Sequence, residues 1–246
     1  MPQTDPTGHA AGRRARGAAR IGRWMGVGAV TLAILLLVLG GLALRVPVSL
    51  LTRNIVLPPA VVAVHGSARR GRATLTEGYT LRWGSGLALL PLPHLRTDLL
   101  LEGPDTRVDA RAATGAGGIT LERASGRAGP GLAAMVPGAW RCDMTAVVRD
   151  VSLAWRWRDA AAAGTISTPA GTCTRGDRRA EIPALQIALS SEGRDAVARL
   201  SQPGGAEMAH LRLRRDRVLD IHIAPSAAEV FPALPRGGPI TLQLPF

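Results

Sequence analysis

The feature that most constrains the fold is an uncharged run of twenty residues, Met25 to Leu44. At about 1.5 Å per residue, a helix of this length spans the bilayer's hydrocarbon core of about 30 Å. Arginines precede the run, at Arg13, Arg14, Arg16, Arg20 and Arg23. Because basic flanks stay in the cytoplasm, the sequence predicts export of everything after the run.

These positions predict four segments: a cytoplasmic tail at 1–24, a transmembrane helix at 25–44, a connector at 45–59 and a periplasmic β domain at 60–246. The alternative is a cleaved signal peptide, whose apolar region usually has about 7–15 residues and a small-x-small cleavage site. The best such site, Gly41-Leu42-Ala43, is followed by Leu44-Arg45. We therefore expect a retained, single-pass anchor in the cell inner membrane.

The exported part carries strand patterns. Val151, Leu153, Trp155 and Trp157 alternate with polar or small residues, as in a strand with one buried face. Similar patterns cover 60–66, 95–103, 117–126 and 240–246, and 183–193 with 195–205 form a predicted strand pair. Residues 209–225 predict a hairpin that turns near Arg215-Asp216, and Gly78, Gly84 and Gly86 are expected to break strands. The fold class is mainly β, an antiparallel sheet.

Two short Ala-rich stretches differ from the strands. Residues 131–140 and 226–234 each predict one helical turn stopped by proline. They follow comparable series of strands, and this order suggests that the domain has two similar halves.

Cys142 and Cys173 are the only cysteines, and both lie in the predicted periplasmic part. An even count in an oxidising compartment favours a disulfide. Closing 31 residues would stabilise the fold by roughly 3–4 kcal/mol through chain entropy. Free thiols and a metal site are the alternatives, although no CxxC or HxxxH supplies further ligands.

The formal net charge is +12, and all 30 basic residues are arginine. Such a charge can serve nucleic acid or lipid headgroups. The arginines are scattered, often near carboxylates, and are not interleaved with aromatic residues that stack on bases. We therefore expect no nucleic-acid partner.

No convergent set of titratable groups with useful spacing is evident, so we predict no enzyme, no catalytic residue, no metal and no cofactor. Asp220 and His222 are interpreted as a solvated strand face. Trp83, Trp140, Trp155 and Trp157 are interpreted as core residues rather than a ligand platform. The apolar runs at 60–64 and 99–101 fit either a core or a groove.

A basic tail, one anchor and a glycine-punctuated β domain in this order resemble type II secretion system protein N. The resemblance is carried by Val64-His65-Gly66 with Gly71, the strand ending at Trp83, and LLPLPHLRTDLLLEG. Further on it is carried by Trp140-x-Cys142, Cys173 and the closing IHIAPSAAEVFPALPRGGPITLQLPF. It covers most of 61–246.

This resemblance implies an accessory, non-catalytic inner-membrane subunit that contacts other secretion-system subunits. A small-molecule ligand is then not expected. The alternative from the residues themselves is an anchored periplasmic lipid-binding or lipid-transfer protein with a β groove, because short strands with apolar runs suit an open groove.

Overall fold

The computed structural model describes residues 59–88, 93–135, 140–157, 159–231, 234–235 and 237–245. They belong to one compact unit, 47–246. The predicted tail, the predicted transmembrane helix at 25–44 and nearly all of the connector lie outside the described residues. Within the described ranges, no helix has the length and apolar character needed to cross a membrane.

Sixteen strands and two short helices make up the described part. The first eight strands are β1 (Val61–Gly66), β2 (Arg70–Leu75), β3 (Thr80–Ala88), β4 (His94–Glu102), β5 (Arg107–Gly115), β6 (Gly118–Ala128), β7 (Arg141–Cys142) and β8 (Ala146–Arg156). The others are β9 (Ala160–Thr168), β10 (Gly171–Arg175), β11 (Arg178–Ile182), β12 (Leu185–Glu192), β13 (Asp195–Ser201), β14 (Glu207–Leu213), β15 (Val218–Ile223) and β16 (Ile240–Pro245). The helices are α1 (Pro130–Ala134) and α2 (Ala227–Val230).

Thirteen of these strands form one continuous sheet in the order β1-β2-β3-β4-β5-β6-β8-β9-β12-β13-β14-β15-β16. Every neighbouring pair is antiparallel, which confirms the predicted fold class at that level. The sheet passes through the middle of the chain without a break, because β6 pairs with β8. A second sheet of three strands, β11-β10-β7, is inserted around β8 and β9.

Several predicted elements are confirmed, and others are wrong in instructive ways. The predicted break at Gly78 is a 3-10 turn over Thr76–Gly78. Gly84 and Gly86 do not break β3, which runs through both and pairs with β4 along its whole length. A glycine inside a strand costs roughly 0.5–1 kcal/mol, and cross-strand hydrogen bonds on both sides of β3 offset that loss.

The final strand pairs with β15 from Ile240 to Pro245, which confirms that the predicted C-terminal strand joins the sheet. β16 and β1 are the two edges of the sheet. Pro245 cannot donate a ladder hydrogen bond, and β1 has a register shift between Val61 and Ala63. Both features disfavour further strand addition at those edges.

Small side chains fill the most buried positions. The residues with the least exposure are mainly alanines, including Ala160 and Ala162 on β9 and Ala196 on β13. These three form one cluster against which Trp155, Leu189 and Leu213 pack. The chain therefore builds its core from close backbone approach rather than from large side chains.

Candidate functional site

A ladder of directly paired apolar residues crosses the whole large sheet. Antiparallel partners point to the same face, so the register identifies that face from one edge to the other. The ladder, taken from β1 to β16, is Val64, Ala73, Leu81, Leu101, Val108, Gly126, Val148, Ile166, Ile187, Leu200, Ala209, Ile223 and Ile240. We call the side of the sheet that carries it the apolar face.

The opposite side is polar over most of its extent. The next ladder in the first half runs through His65, Arg72, Arg82, Leu100, Asp109 and Ser125. In the second half the corresponding ladder is Arg149, Thr165, Ala188, Arg199, His210, His222 and Thr241. One face of the sheet is therefore mainly polar, and the other is mainly apolar.

Ion pairs connect side chains of different strands on the polar face. Arg111 reaches Asp98 at 2.6 Å, and Glu192 accepts hydrogen bonds from Arg199 and Arg212. The two guanidinium groups hold the pKa of the Glu192 carboxyl below its usual value. Because solvent screens exposed pairs of this kind, they order the side chains of the polar face without supplying much stability.

The sheet bends around its apolar face. Strands β8 and β14 are separated by three strands, which corresponds to about 19 Å in a flat sheet. Even so, the guanidinium carbon of Arg217, in the turn after β14, lies 6.0 Å from the centre of the Trp155 ring on β8. The apolar face is thus the inner, concave side over this part of the sheet.

Much of the apolar face is open to solvent. Among the residues that the structure describes, seven large apolar ones are strongly exposed, and five of them point to this face: Leu87, Ile119, Leu153, Leu242 and Leu244. Leu153, in the middle of β8, keeps 42 % of its surface exposed. Ile119 and Leu153 lie on the adjacent strands β6 and β8, and Leu242 and Leu244 lie together on the edge strand β16. Exposed apolar side chains grouped in this way are a feature of binding surfaces.

The structure brings the two cysteines together. Cys142 and Cys173 are directly paired in the register of β7 and β10, and their sulfur atoms lie at bonding distance, 2.03 Å apart. The small sheet they join helps to enclose a pocket of about 220 Å³ with an almost entirely apolar lining. Leu185, at the start of β12, lines this pocket too and belongs to the apolar face by register.

Sequence reasoning missed a polar cluster at the other half of the sheet. Tyr79, 1 % exposed, donates its hydroxyl to Asp105, which also accepts from the Thr106 hydroxyl at 3.0 Å and the Gly131 amide at 2.8 Å. These bonds lower the pKa of the Asp105 carboxyl, while burial and the same carboxylate raise the pKa of Tyr79. The available signal was that Tyr79 is the chain's only tyrosine.

This cluster is structural. The Gly131 amide belongs to the first turn of α1, and the Gly129 amide donates to Thr106 at 2.8 Å. Asp105 therefore fastens α1 to the loop between β4 and β5.

The tryptophans divide into different roles, so their interpretation as core residues is only partly right. Trp83 is half-buried against Gly71, whose missing side chain leaves room for the indole ring. Trp157 is 82 % exposed, since β8 ends just before it, and the core interpretation is wrong there. Trp155 is half-buried and lines an open pocket.

Titratable side chains share one open pocket, which Asp98, Asp109 and Glu122 help to line, in the part of the chain that the structure describes. No group of three or more His, Cys, Asp or Glu side chains is placed there to hold a metal ion. Asp220 and His222 both lie on the polar face of β15, where His222 contacts the Thr241 hydroxyl at 3.3 Å.

Comparisons with known proteins returned nothing: no family model, no curated protein and no solved structure matches the chain.

Proposed function

We propose that this chain is an accessory, non-catalytic subunit of a type II protein secretion system, anchored in the inner membrane with its β domain in the periplasm. The proposal starts from the resemblance in sequence to protein N of that system. The observation that supports it is that several of the residues behind the resemblance lie against one another in the described part of this fold.

The first motif shows this in one place. Gly66 pairs directly with Gly71 across β1 and β2, and Gly71 lies under the Trp83 indole. A Cβ added at Gly71 would overlap the Trp83 ring, so the spacing of these residues follows from a physical contact. The Trp83 indole nitrogen also donates to the Ser67 carbonyl at 3.0 Å, just after the motif.

Residues of the later motifs also lie close together in the fold. Trp140, Cys142 and Cys173 line one pocket together with Phe231, which comes from the closing segment. Residues far apart in sequence thus meet at one place.

Co-purification tests this proposal. The full chain, extracted in mild detergent from its own cells, should bring down inner-membrane or secretin subunits of the secretion system. The matched control keeps residues 1–59 and replaces the β domain with an unrelated periplasmic domain. Recovery of the same subunits with the control, or of none with the full chain, would contradict the proposal.

A second candidate function is the binding of a lipid by the apolar face. It is favoured by the ladder of apolar residues across all thirteen strands and by their partial exposure. Acyl chains would cover this surface and remove it from water, which is favourable by roughly 25 cal/mol per Å². Lipid binding and membership of a secretion system are compatible.

Mass spectrometry of the purified full chain tests the lipid proposal, which expects stoichiometric phospholipid. Leu153→Arg places a charge on the apolar face and should abolish the bound lipid. Ser152→Arg, the matched control, places the same charge on the opposite face of the same strand. A wild-type protein without lipid, or equal loss in both variants, would count against this function.

A further inference from the structure

Basic and aromatic side chains meet where the bent sheet brings β8 close to the turn between β14 and β15. An open pocket of about 230 Å³ lies there. Ile119, Trp155 and Trp157 supply its apolar lining, and Arg156, Arg215 and Arg217 supply its basic lining. Ile119 and Trp155 belong to the apolar face by register.

The turn itself is well defined. The Arg214 amide donates to the Val218 carbonyl at 2.9 Å, and Arg217 has a positive φ of 65°. This backbone directs Arg217 across the apolar face, where its guanidinium lies over the Trp155 ring. A cation held over an indole face gains roughly 0.5–1 kcal/mol at an exposed site, so the ring helps to position the charge.

The arginines that line this pocket can offer their positive charge to a bound anion. In the same turn, Arg214 is neutralised by Asp216 at 2.6 Å. Arg156, Arg215 and Arg217, by contrast, form no ion pair with any carboxylate in the part of the chain that the structure describes. An anion bound here would therefore meet several positive charges without displacing an internal partner.

The apolar face leads from this pocket to a second one. Strand β9 runs along this face from Ala160, which pairs with Trp155, to Thr168, which pairs with Leu185. At about 3.3 Å per residue, the two ends of this strand lie about 26 Å apart. Leu185 lines the apolar pocket beside the cysteine pair. One leaflet of a bilayer, headgroup included, measures about half of 40–45 Å. The track is long enough for one extended lipid.

We propose that the apolar face binds an anionic phospholipid in one orientation, with its phosphate against Arg156, Arg215 and Arg217 and its acyl chains directed toward the pocket beside Cys142 and Cys173. This inference rests on the second proposed function. It adds selectivity for the headgroup and a single direction in which the lipid lies along the apolar face. Arginine suits the headgroup end because its planar fork can donate two hydrogen bonds to one phosphate.

Tryptophan fluorescence of the full chain in non-ionic detergent tests the proposal. Phosphatidylglycerol and phosphatidylcholine carrying the same brominated acyl chains are titrated separately, because bromine quenches indoles that it touches. Phosphatidylglycerol should quench at concentrations on the order of tenfold lower, since each arginine near a lipid phosphate contributes a several-fold gain.

The double variant R215Q/R217Q should lower the affinity for phosphatidylglycerol to that for phosphatidylcholine. The matched control R175Q/R178Q removes two exposed arginines from another hairpin turn, between β10 and β11, and should keep the tenfold preference. All four positions are exposed turn or strand-end residues, and equal melting temperatures would verify that the variants fold.

The outcomes separate the two levels of the proposal. Equal binding of both lipids by the unaltered chain would overturn the headgroup site and leave the apolar groove standing. If both double variants lost the preference for phosphatidylglycerol, that preference would result from the overall positive charge of the protein. This result would also overturn the proposed headgroup site. Quenching by neither lipid would refute lipid binding as a whole, and this inference with it.

Discussion

The contacts of Asp105 lead to a prediction about stability and pH. Its Oδ1 accepts the Tyr79 and Thr106 hydroxyls, and its Oδ2 accepts the Gly131 amide. Hydrogen bonds to a charged group contribute about 1.5–3 kcal/mol each, against about 0.5–1.5 kcal/mol for neutral ones. Asp105→Asn keeps the shape but replaces one acceptor oxygen with an NH2 group, so it loses the charge and at least one of the three bonds. Because Asp105 is partly exposed, we expect a loss of about 2 kcal/mol.

Such a loss lowers the melting temperature of a domain of this size by about 4–8 °C. Thermal unfolding of the full chain in mild detergent, followed by tryptophan fluorescence, measures it. Asp109→Asn is the matched control, because Asp109 is an exposed carboxylate on the neighbouring strand that forms no ion pair with other described residues. It should leave the melting temperature nearly unchanged.

The pH dependence gives a second, independent readout. The pKa of Asp105 is lowered in the folded state, so the unfolded chain binds more protons as the pH falls below about 4. The stabilisation is therefore complete above that pH and is lost as the pH falls through the folded-state pKa. The gap between wild type and Asp105→Asn should shrink as the pH falls below about 4. A gap that stays constant, or equal melting temperatures for both Asn variants at pH 7, would refute the reasoning.

Three further predictions use other contacts. Cys142 and Cys173 should give no reaction with a thiol reagent in the unfolded, unreduced chain; two reactive thiols would exclude their bond. Gly71→Val should expel the Trp83 ring and cost roughly 1–3 kcal/mol by overpacking, seen as a lower melting temperature and a red-shifted emission. Deleting the chain from Ile240 onward should destabilise the sheet by a few kcal/mol, since Leu242 and Leu244 remain about half exposed, and an unchanged melting temperature would instead favour docking of this strand on a partner.

Period-2 alternation predicted the strands in which large apolar residues alternate with polar ones, such as β8, β14 and β16. It did not predict β5, where Val108 is followed by alanines on the inner side, or β9, which begins with Ala160 to Ala163. Alanine has little preference for strands. These segments become strands because their neighbours on both sides offer ladder hydrogen bonds, which is information that lies outside the segment.

For the candidate lipid track, the sequence predicted which residue types share a face of a strand but not where those strands meet. Alternation indicated which side chains share a face within a strand, but the ladder across the sheet required the register of every pair. The meeting of Trp155 with Arg217 depends on how far the sheet bends, and sheet curvature arises from twist, bulges and small side chains acting together. The register shifts in β8–β9 and β13–β14 lie in the bent region.

The order of strands in the large sheet also bears on how the chain folds. Each strand pairs with the strand that precedes it in the sheet order, and that order never reverses along the chain. The sheet can therefore grow from the β1 edge one strand at a time, as successive segments are synthesised. Loop closure costs little at each such step, because partners are close in sequence. Until the small β7–β10–β11 insertion is complete, the growing edge lies at β8 or β9, so an unfinished chain exposes its central strands, where pairing with another chain is the main hazard.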